Sequence, residues 1–144
     1  MTQEERLTFL LDYLLRERQG KFDVPADPQG RRQLLRALMN VRMPAPVSDE
    51  FLQVQDAYLQ EETRRKGITD LQELEPVEPG IYLWQGDITT LRCDAIVNAA
   101  NSQMLGCFVP CHSCIDNAIH SAAGVQLRLG CGRIMEKQGT GEPA

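Results

Sequence analysis

The sequence predicts an α/β fold behind a helical N-terminal extension, with the α/β part incomplete. Three observations point there. Leucines recur at helical spacing through the early chain. The continuously apolar Ala95-Ile96-Val97, between Asp94 and Asn98, suits a strand buried on both faces of a parallel sheet. Helix-forming stretches then follow, while strand candidates number too few for such a sheet.

The helical part divides at clear signals. Leu7, Leu10, Leu11, Leu14 and Leu15 form one amphipathic face. Thr2 with Glu5 three residues later is a capping box, and Gly20 is the expected stop. Asp27-Pro28 opens a second helix, with Asp as N-cap and Pro at the first helical position. Leu34, Leu35 and Leu38 line it, and Met43-Pro44-Ala45-Pro46 breaks it. Ser48 caps a third helix with Asp49 and Glu50 in its first turn. Phe51, Val54, Tyr58 and Leu59 share a face, and Arg64-Arg65-Lys66 suit its C-terminal end. These faces read as packing surface.

The character changes after Gly67, dividing the chain into residues 1–67 and 68–144. Residues 68–80 read as a connector or an edge strand. Ile81-Tyr82-Leu83-Trp84 is one strand candidate and residues 94–98 are the other. Helices are expected from about Ile115 to Ala123 and from Val125 to Lys137. Gly130 and Gly132 lie inside the second of these, each at a cost of about 1 kcal/mol relative to Ala. Residues 139–144 read as a loop approaching a further element.

Charge and composition narrow the function. The 144 residues carry a net charge of −5, with no basic patch to argue for duplex nucleic acid. An anionic ligand would need backbone amides, a helix N-terminus or a metal. No apolar run reaches the length of a membrane span, and no secretory signal follows the acidic N-terminus. A cytoplasmic protein is expected. Cys93, Cys107, Cys111, Cys114 and Cys131 make an odd set of five, three of them within eight residues. In a reducing compartment that pattern reads as metal or catalysis.

Several segments carry chemistry. Gly86-Asp87-Ile88-Thr89 places a carboxylate after a strand, where open α/β sheets bind ligands, although a turn aspartate capping its own backbone has the same look. Asn98-Ala99-Ala100-Asn101 sets small residues between two amides, which also suits ordinary turn chemistry. The strongest signal runs from Gly106 to His120, where Cys107, Cys111, His112 and Cys114 converge. Zinc takes thiolate and imidazole ligands in a tetrahedron, and three protein ligands leave one position open. Pro110 stiffens a loop too tight for four ligands, so an open site with a spare cysteine is favoured. An unmetallated cysteine cluster remains an alternative, as does a [4Fe–4S] cluster on Cys107-x3-Cys111-x2-Cys114. Asp116 at the start of the next helix can cap it or, beside a Lewis acid, orient a hydroxyl or water. His120 lies one turn later on the same face.

Together, residues 86–89, residues 94–101, and the loop leading to Asp116 and Ala118-Ile119-His120-Ser121-Ala122-Ala123-Gly124 resemble the macrodomain family. The Cys/His segment, standing where a glycine-rich stretch is usual, resembles the zinc-dependent macrodomains of bacteria and fungi that are linked to sirtuins. The N-terminal helical extension is similar to theirs. The resemblance implies a macrodomain-like α/β/α sandwich, ADP-ribose as ligand and protein-ADP-ribose hydrolysis as activity. It implies that Asp87 accepts from the adenine amino group with Ile88 alongside, and that Asn101 contacts the distal ribose. The backbone of Ile115, Asp116 and Asn117 would face the ribose and phosphates. Zn2+ would be held by Cys107, His112 and Cys114, with Cys111 spare, and Asp116 and Asn101 would be the catalytic pair. Implied partners are ADP-ribosylated protein, a sirtuin-type ADP-ribosyltransferase and a lipoyl-carrier protein, with neither nucleic acid nor membrane. The family's second phosphate-binding loop is expected beyond these residues, so residues 68–144 are expected to hold only the N-terminal half of a macrodomain. A non-catalytic ADP-ribose-binding module with a structural zinc, and an inactive truncated fragment, are the competing readings.

Overall fold

The computed structural model describes residues 1–139; the loop expected at the C-terminal end lies, beyond Gly139, outside the described residues. Three helices come first: α1 (Gln3–Arg16), α2 (Pro28–Val41) and α3 (Asp49–Lys66). Each begins where the sequence places it. Thr2 and Glu5 complete a reciprocal capping box, Asp27 accepts from the Gly30 amide with Pro28 at the first turn, and Ser48 accepts from the Phe51 amide. The first helix stops at Arg16, short of Gly20.

Four very short strands follow: β1 (Thr69–Asp70), β2 (Pro76–Glu78), β3 (Ile81–Tyr82) and β4 (Leu91–Arg92). β1 pairs parallel with β4, Thr69 opposite Leu91. β2 and β3 form an irregular antiparallel pair. Helices α4 (Ile115–Ala123) and α5 (Val125–Gln138) close the described chain, and α5 runs through both of its glycines. The architecture is therefore mixed α/β, with helices N-terminal and little sheet.

One expectation is corrected. Residues 94–98 form no strand. Ile96 is 40% exposed and Val97 91% exposed, the reverse of a doubly buried strand. The reason is pairing: a central strand needs neighbours for its amides and carbonyls, and among the described residues none lies beside this segment. The strand predicted over 81–84 is likewise shortened to Ile81–Tyr82.

The hydrophobic core sits in the helical part. Leu7, Leu10, Leu11, Leu14, Leu35, Leu38, Met39, Phe51, Val54 and Tyr58 pack together, and Val125 of α5 joins them. Leu10 and Phe51 are fully buried, and burial of such side chains contributes about 1.5–3 kcal/mol each. Polar side chains tie the later helices to this core. Gln55 of α3, completely buried, accepts from the Val125 amide at 2.9 Å and donates to Gln126 Oε1 at 2.6 Å. It thereby satisfies one of the orphan amides at the start of α5, whose N-cap Gly124 has no side chain to do so. Gly124 sits at φ +92°, and a Cβ there would lie 2.3 Å from Gln55 Nε2, so both backbone and packing require glycine.

Arg128 of α5 is the second tie. Its guanidinium, 5% exposed, donates to the carbonyls of Met39, Asn40 and Arg42 at the end of α2, and to those of Leu105 and Cys107. It also lies 4.0 Å from the centre of the Phe108 ring. Replacing Arg128 with Met keeps the stem volume but strips donors from buried carbonyls. The expected cost is about 3–5 kcal/mol, read as a lowered urea midpoint with an unchanged slope.

Candidate metal and ligand site

The segment between β4 and α4 crosses the molecule as a loop and delivers three donors to one place. The ligand atoms of Cys107, His112 and Cys114 all lie within 4.8 Å of one another. Tetrahedral zinc with Zn–S of about 2.3 Å sets its donors roughly 3.5–3.8 Å apart, so the cluster needs only a small contraction to close around an ion. Two thiols and an imidazole are the donor chemistry that zinc takes, and the residues fit the group.

Local backbone explains the convergence. Gly106 adopts φ +82°, and a Cβ there would lie 2.7 Å from the His120 ring, so glycine lets the chain turn against α4 just before Cys107. Cys111 takes φ +53°, a left-handed turn that separates its thiol from the other three donors. That thiol donates to the Gln33 carbonyl at 3.4 Å. Cys111, the cysteine expected to be spare, is turned toward α2 and lies outside the group of three donors. This arrangement also counts against the three-cysteine iron–sulfur alternative, which needs Cys111 as a ligand.

Cys114 doubles as the N-cap of α4: its sulfur accepts from the Asn117 amide at 3.4 Å. Ile115 and Asp116 lie in the first turn of α4, where amides lack intrahelical acceptors, so the start of α4 presents donors for an anionic ligand. Asp116 itself is buried. Its Oδ1 accepts from Asn98 Nδ2 at 2.7 Å and lies 3.7 Å from His120 Nε2. Asn98 therefore reaches the carboxylate, a role that its place in the Asn98–Asn101 segment did not announce.

The remaining predicted residues lie elsewhere. Asn101 lines an open cavity of about 780 Å³ with Val97, Asn98, His120 and Leu127. Asp87 borders a cavity of about 310 Å³ between the helical part and α4, and Ile88 borders a third, of about 300 Å³, with Ile96 and Ile119. Thr89 donates to Asp87 Oδ1 through its hydroxyl at 2.6 Å and its amide at 2.9 Å, and Lys66 lies 3.4 Å from Oδ2. The Thr89 hydroxyl, with its amide and Lys66 adding to it, holds the Asp87 carboxyl below its ordinary pKa despite some burial. It stays a charged acceptor. The cavity that Ile88 borders adjoins both others, sharing Thr89 with that of Asp87 and Ile96 and Ile119 with that of Asn101.

Sequence reasoning missed the supports of the loop. Arg36 and Asn40 of α2 reach it, Asn117 is fully buried, and Arg128 grips its first half. For Arg36 the available signal was a polar stripe, Gln33-Arg36-Asn40, opposite the leucine face.

Residues 97–144 match the family model described as Macro domain. A protein of Treponema medium named protein-ADP-ribose hydrolase is 56% identical over 99% of this chain and 57% of its own length. A protein-ADP-ribose hydrolase of Staphylococcus aureus (strain MRSA252) is 48% identical over 98% of this chain and 54% of its own. A probable bifunctional ADP-ribose hydrolase/ADP-ribosyltransferase of Fusarium oxysporum f. sp. cubense is 44% identical over 74% of this chain and 20% of its own. The chain spans about half the length of the bacterial relatives it matches.

His120 supplies a testable property of the site. Burial holds its imidazole below the ordinary pKa of 6.5; the Asp116 carboxylate opposes this and the Arg128 guanidinium adds to it. Its Nδ1 is buried without a partner. As pH falls below about 6.5 the unfolded chain takes up a proton that the folded chain resists, so stability falls toward acid. Between pH 7.5 and 5, the metal-free protein's thermal midpoint is expected to drop more steeply than that of His120→Gln.

Proposed function

We propose that this chain belongs to a zinc-dependent protein-ADP-ribose hydrolase, a glycosidase that removes mono-ADP-ribose from modified protein side chains. Residues 1–67 form its helical extension, and residues 68–144 supply the N-terminal half of its macrodomain. The observation that carries the reading is the convergence of Cys107, His112 and Cys114 directly before the helix bearing Asp116. The match of residues 97–144 to the Macro domain and the names of the relatives support it.

The ligand is placed by the chain's own groups. Asp87 accepts from the adenine amino group through Oδ2, in exchange for its weak contact with Lys66, with Ile88 alongside. Backbone at Ile115, Asp116 and Asn117 faces the ribose and phosphates, and the first-turn amides of Ile115 and Asp116 suit that charge. Asn101 contacts the distal ribose. Cys107, His112 and Cys114 would hold zinc, which would supply Lewis acidity at the distal ribose. Asp116, oriented by Asn98, holds that water or takes its proton as the bond from ribose C1″ to the protein side chain breaks. The reading extends to a cytoplasmic location and to partners of two kinds, a sirtuin-type ADP-ribosyltransferase and a lipoyl-carrier protein. Among the described residues no helix is long and apolar enough to cross a membrane.

Calorimetric titration of ADP-ribose into the zinc-loaded protein tests the ligand, and saturable one-to-one binding is expected. Asp116→Asn is expected to slow release of ADP-ribose from a modified protein by about 10²–10⁴-fold while affinity for ADP-ribose stays within a few-fold. Cys107→Ala and Cys114→Ala are expected to lose metal and turnover together, measured by metal content and by the same release assay. Tight binding without turnover in the unmodified protein would favour a reader of ADP-ribose over a hydrolase.

A further inference from the structure

The loop that carries the metal donors is held from outside by the helical extension. Three residues on one face of α2, at positions i, i+3 and i+7, reach it. Gln33 offers its carbonyl to the Cys111 thiol, Asn40 accepts from the Cys111 amide at 2.9 Å, and Arg36 spans two acceptors. Arg36 donates through Nε and Nη2 to Asn117 Oδ1, at 3.1 and 2.7 Å, and through Nη2 to the His112 carbonyl at 3.1 Å. Asn117 passes the hold onward. Its Nδ2 donates to the Val109 carbonyl at 3.0 Å, and its amide donates to Cys114 Sγ. Ser121 closes the ring, accepting from Asn40 Nδ2 and donating to Asn117 Oδ1.

We propose that Arg36 is a positioning residue for the metal centre: its planar fork fixes the backbone of His112 and the side chain of Asn117, and so places the donors of His112 and Cys114. This rests on the metal reading above and deepens it, since the helical extension becomes part of the site. The division of labour is spatial. Arg128 grips the carbonyl of Cys107 at one end of the loop, and Arg36 grips the carbonyl of His112 at the other. Neither arginine is a ligand. Each acts by limiting where a donor atom can sit, as outer groups around metal sites do, and loss of such groups costs about 10–100-fold in metal affinity. A lysine cannot reproduce the fork, because one ammonium does not present donors in a fixed plane to both acceptors.

Cobalt(II) titration of the full chain, followed by thiolate-to-cobalt absorption, tests this without an activity assay. Wild-type protein is expected to bind one ion with a thiolate band that Cys107→Ala and Cys114→Ala lose. Arg36→Gln is expected to weaken cobalt binding at least tenfold and to change the shape of the ligand-field bands, with helix content unchanged by circular dichroism. Arg31→Gln removes another α2 guanidinium, one bonded to Glu4 and Thr8 on α1; it is expected to leave affinity within about twofold. Arg36→Lys, the milder change, is expected to recover only part of the loss and carries the test if Arg36→Gln does not fold. Wild-type affinity and bands in Arg36→Gln or Arg36→Lys would overturn the positioning role while leaving the metal reading intact. No thiolate band in the wild-type protein would overturn the metal reading, and this proposal with it.

Discussion

The buried guanidinium of Arg128 is the contact on which the arrangement of the later chain depends, because one side chain gathers backbone carbonyls from the end of α2 and from the loop at once. The end of α2 offers three carbonyls that its own helix cannot satisfy, and the loop offers two more. A helix leaves its last carbonyls without intrahelical partners, and the loop, having no ladder, leaves its own. One planar, permanently charged side chain with five N–H donors answers both needs. Its burial in turn costs solvation, which holds its pKa below the ordinary value, and the ring of Phe108 covers one face as a further partner.

The helical part is an apolar core, and the remainder is attached to it mainly by polar side chains. Leucines of α1 and α2 and aromatic residues of α3 bury one another. Val125 is the later chain's sole buried apolar member of that cluster among the described residues. Gln55, Asn40, Arg36 and Arg128 are among the other links. Hydrogen bonds between such groups are directional, so they set register and orientation where apolar contact alone would permit sliding. A loop that is to hold a metal needs that kind of support, since the donors must be placed to within a fraction of an ångström. The strand candidate at residues 94–98 stands at the other extreme: only Asn98 is anchored, to Asp116, and Val97 remains exposed.

Much of this was legible in the sequence, and the parts that were not share a cause. The capping residues Thr2, Asp27 and Ser48 start their helices as read, because a cap is decided within four residues. Helix α4 spans the predicted residues, and α5 starts as predicted and runs one residue further, to Gln138. The residues point to a Cys/His cluster, the choice of Cys107, His112 and Cys114 within it is what the family resemblance implies, and the loop's backbone brings those three ligand atoms near one another. The strand at 94–98 was misjudged because apolar continuity signals burial, whereas a strand exists only through its neighbours.

The sequence by itself determined the helices, their N-terminal starts, the leucine core and the Cys/His cluster from which candidate metal donors are drawn, since each rests on interactions a few residues apart or on side-chain chemistry alone. Only the tertiary structure decided what holds those donors. Arg36 and Asn117 are 81 residues apart, and Arg128 and Asn40 are 88 apart. No local pattern marks an arginine as a fork for a distant carbonyl or amide, because the same residue on an exposed helix face is equally at home in water. Folding brings the polar stripe of α2 against the loop, and only then does it become part of the site.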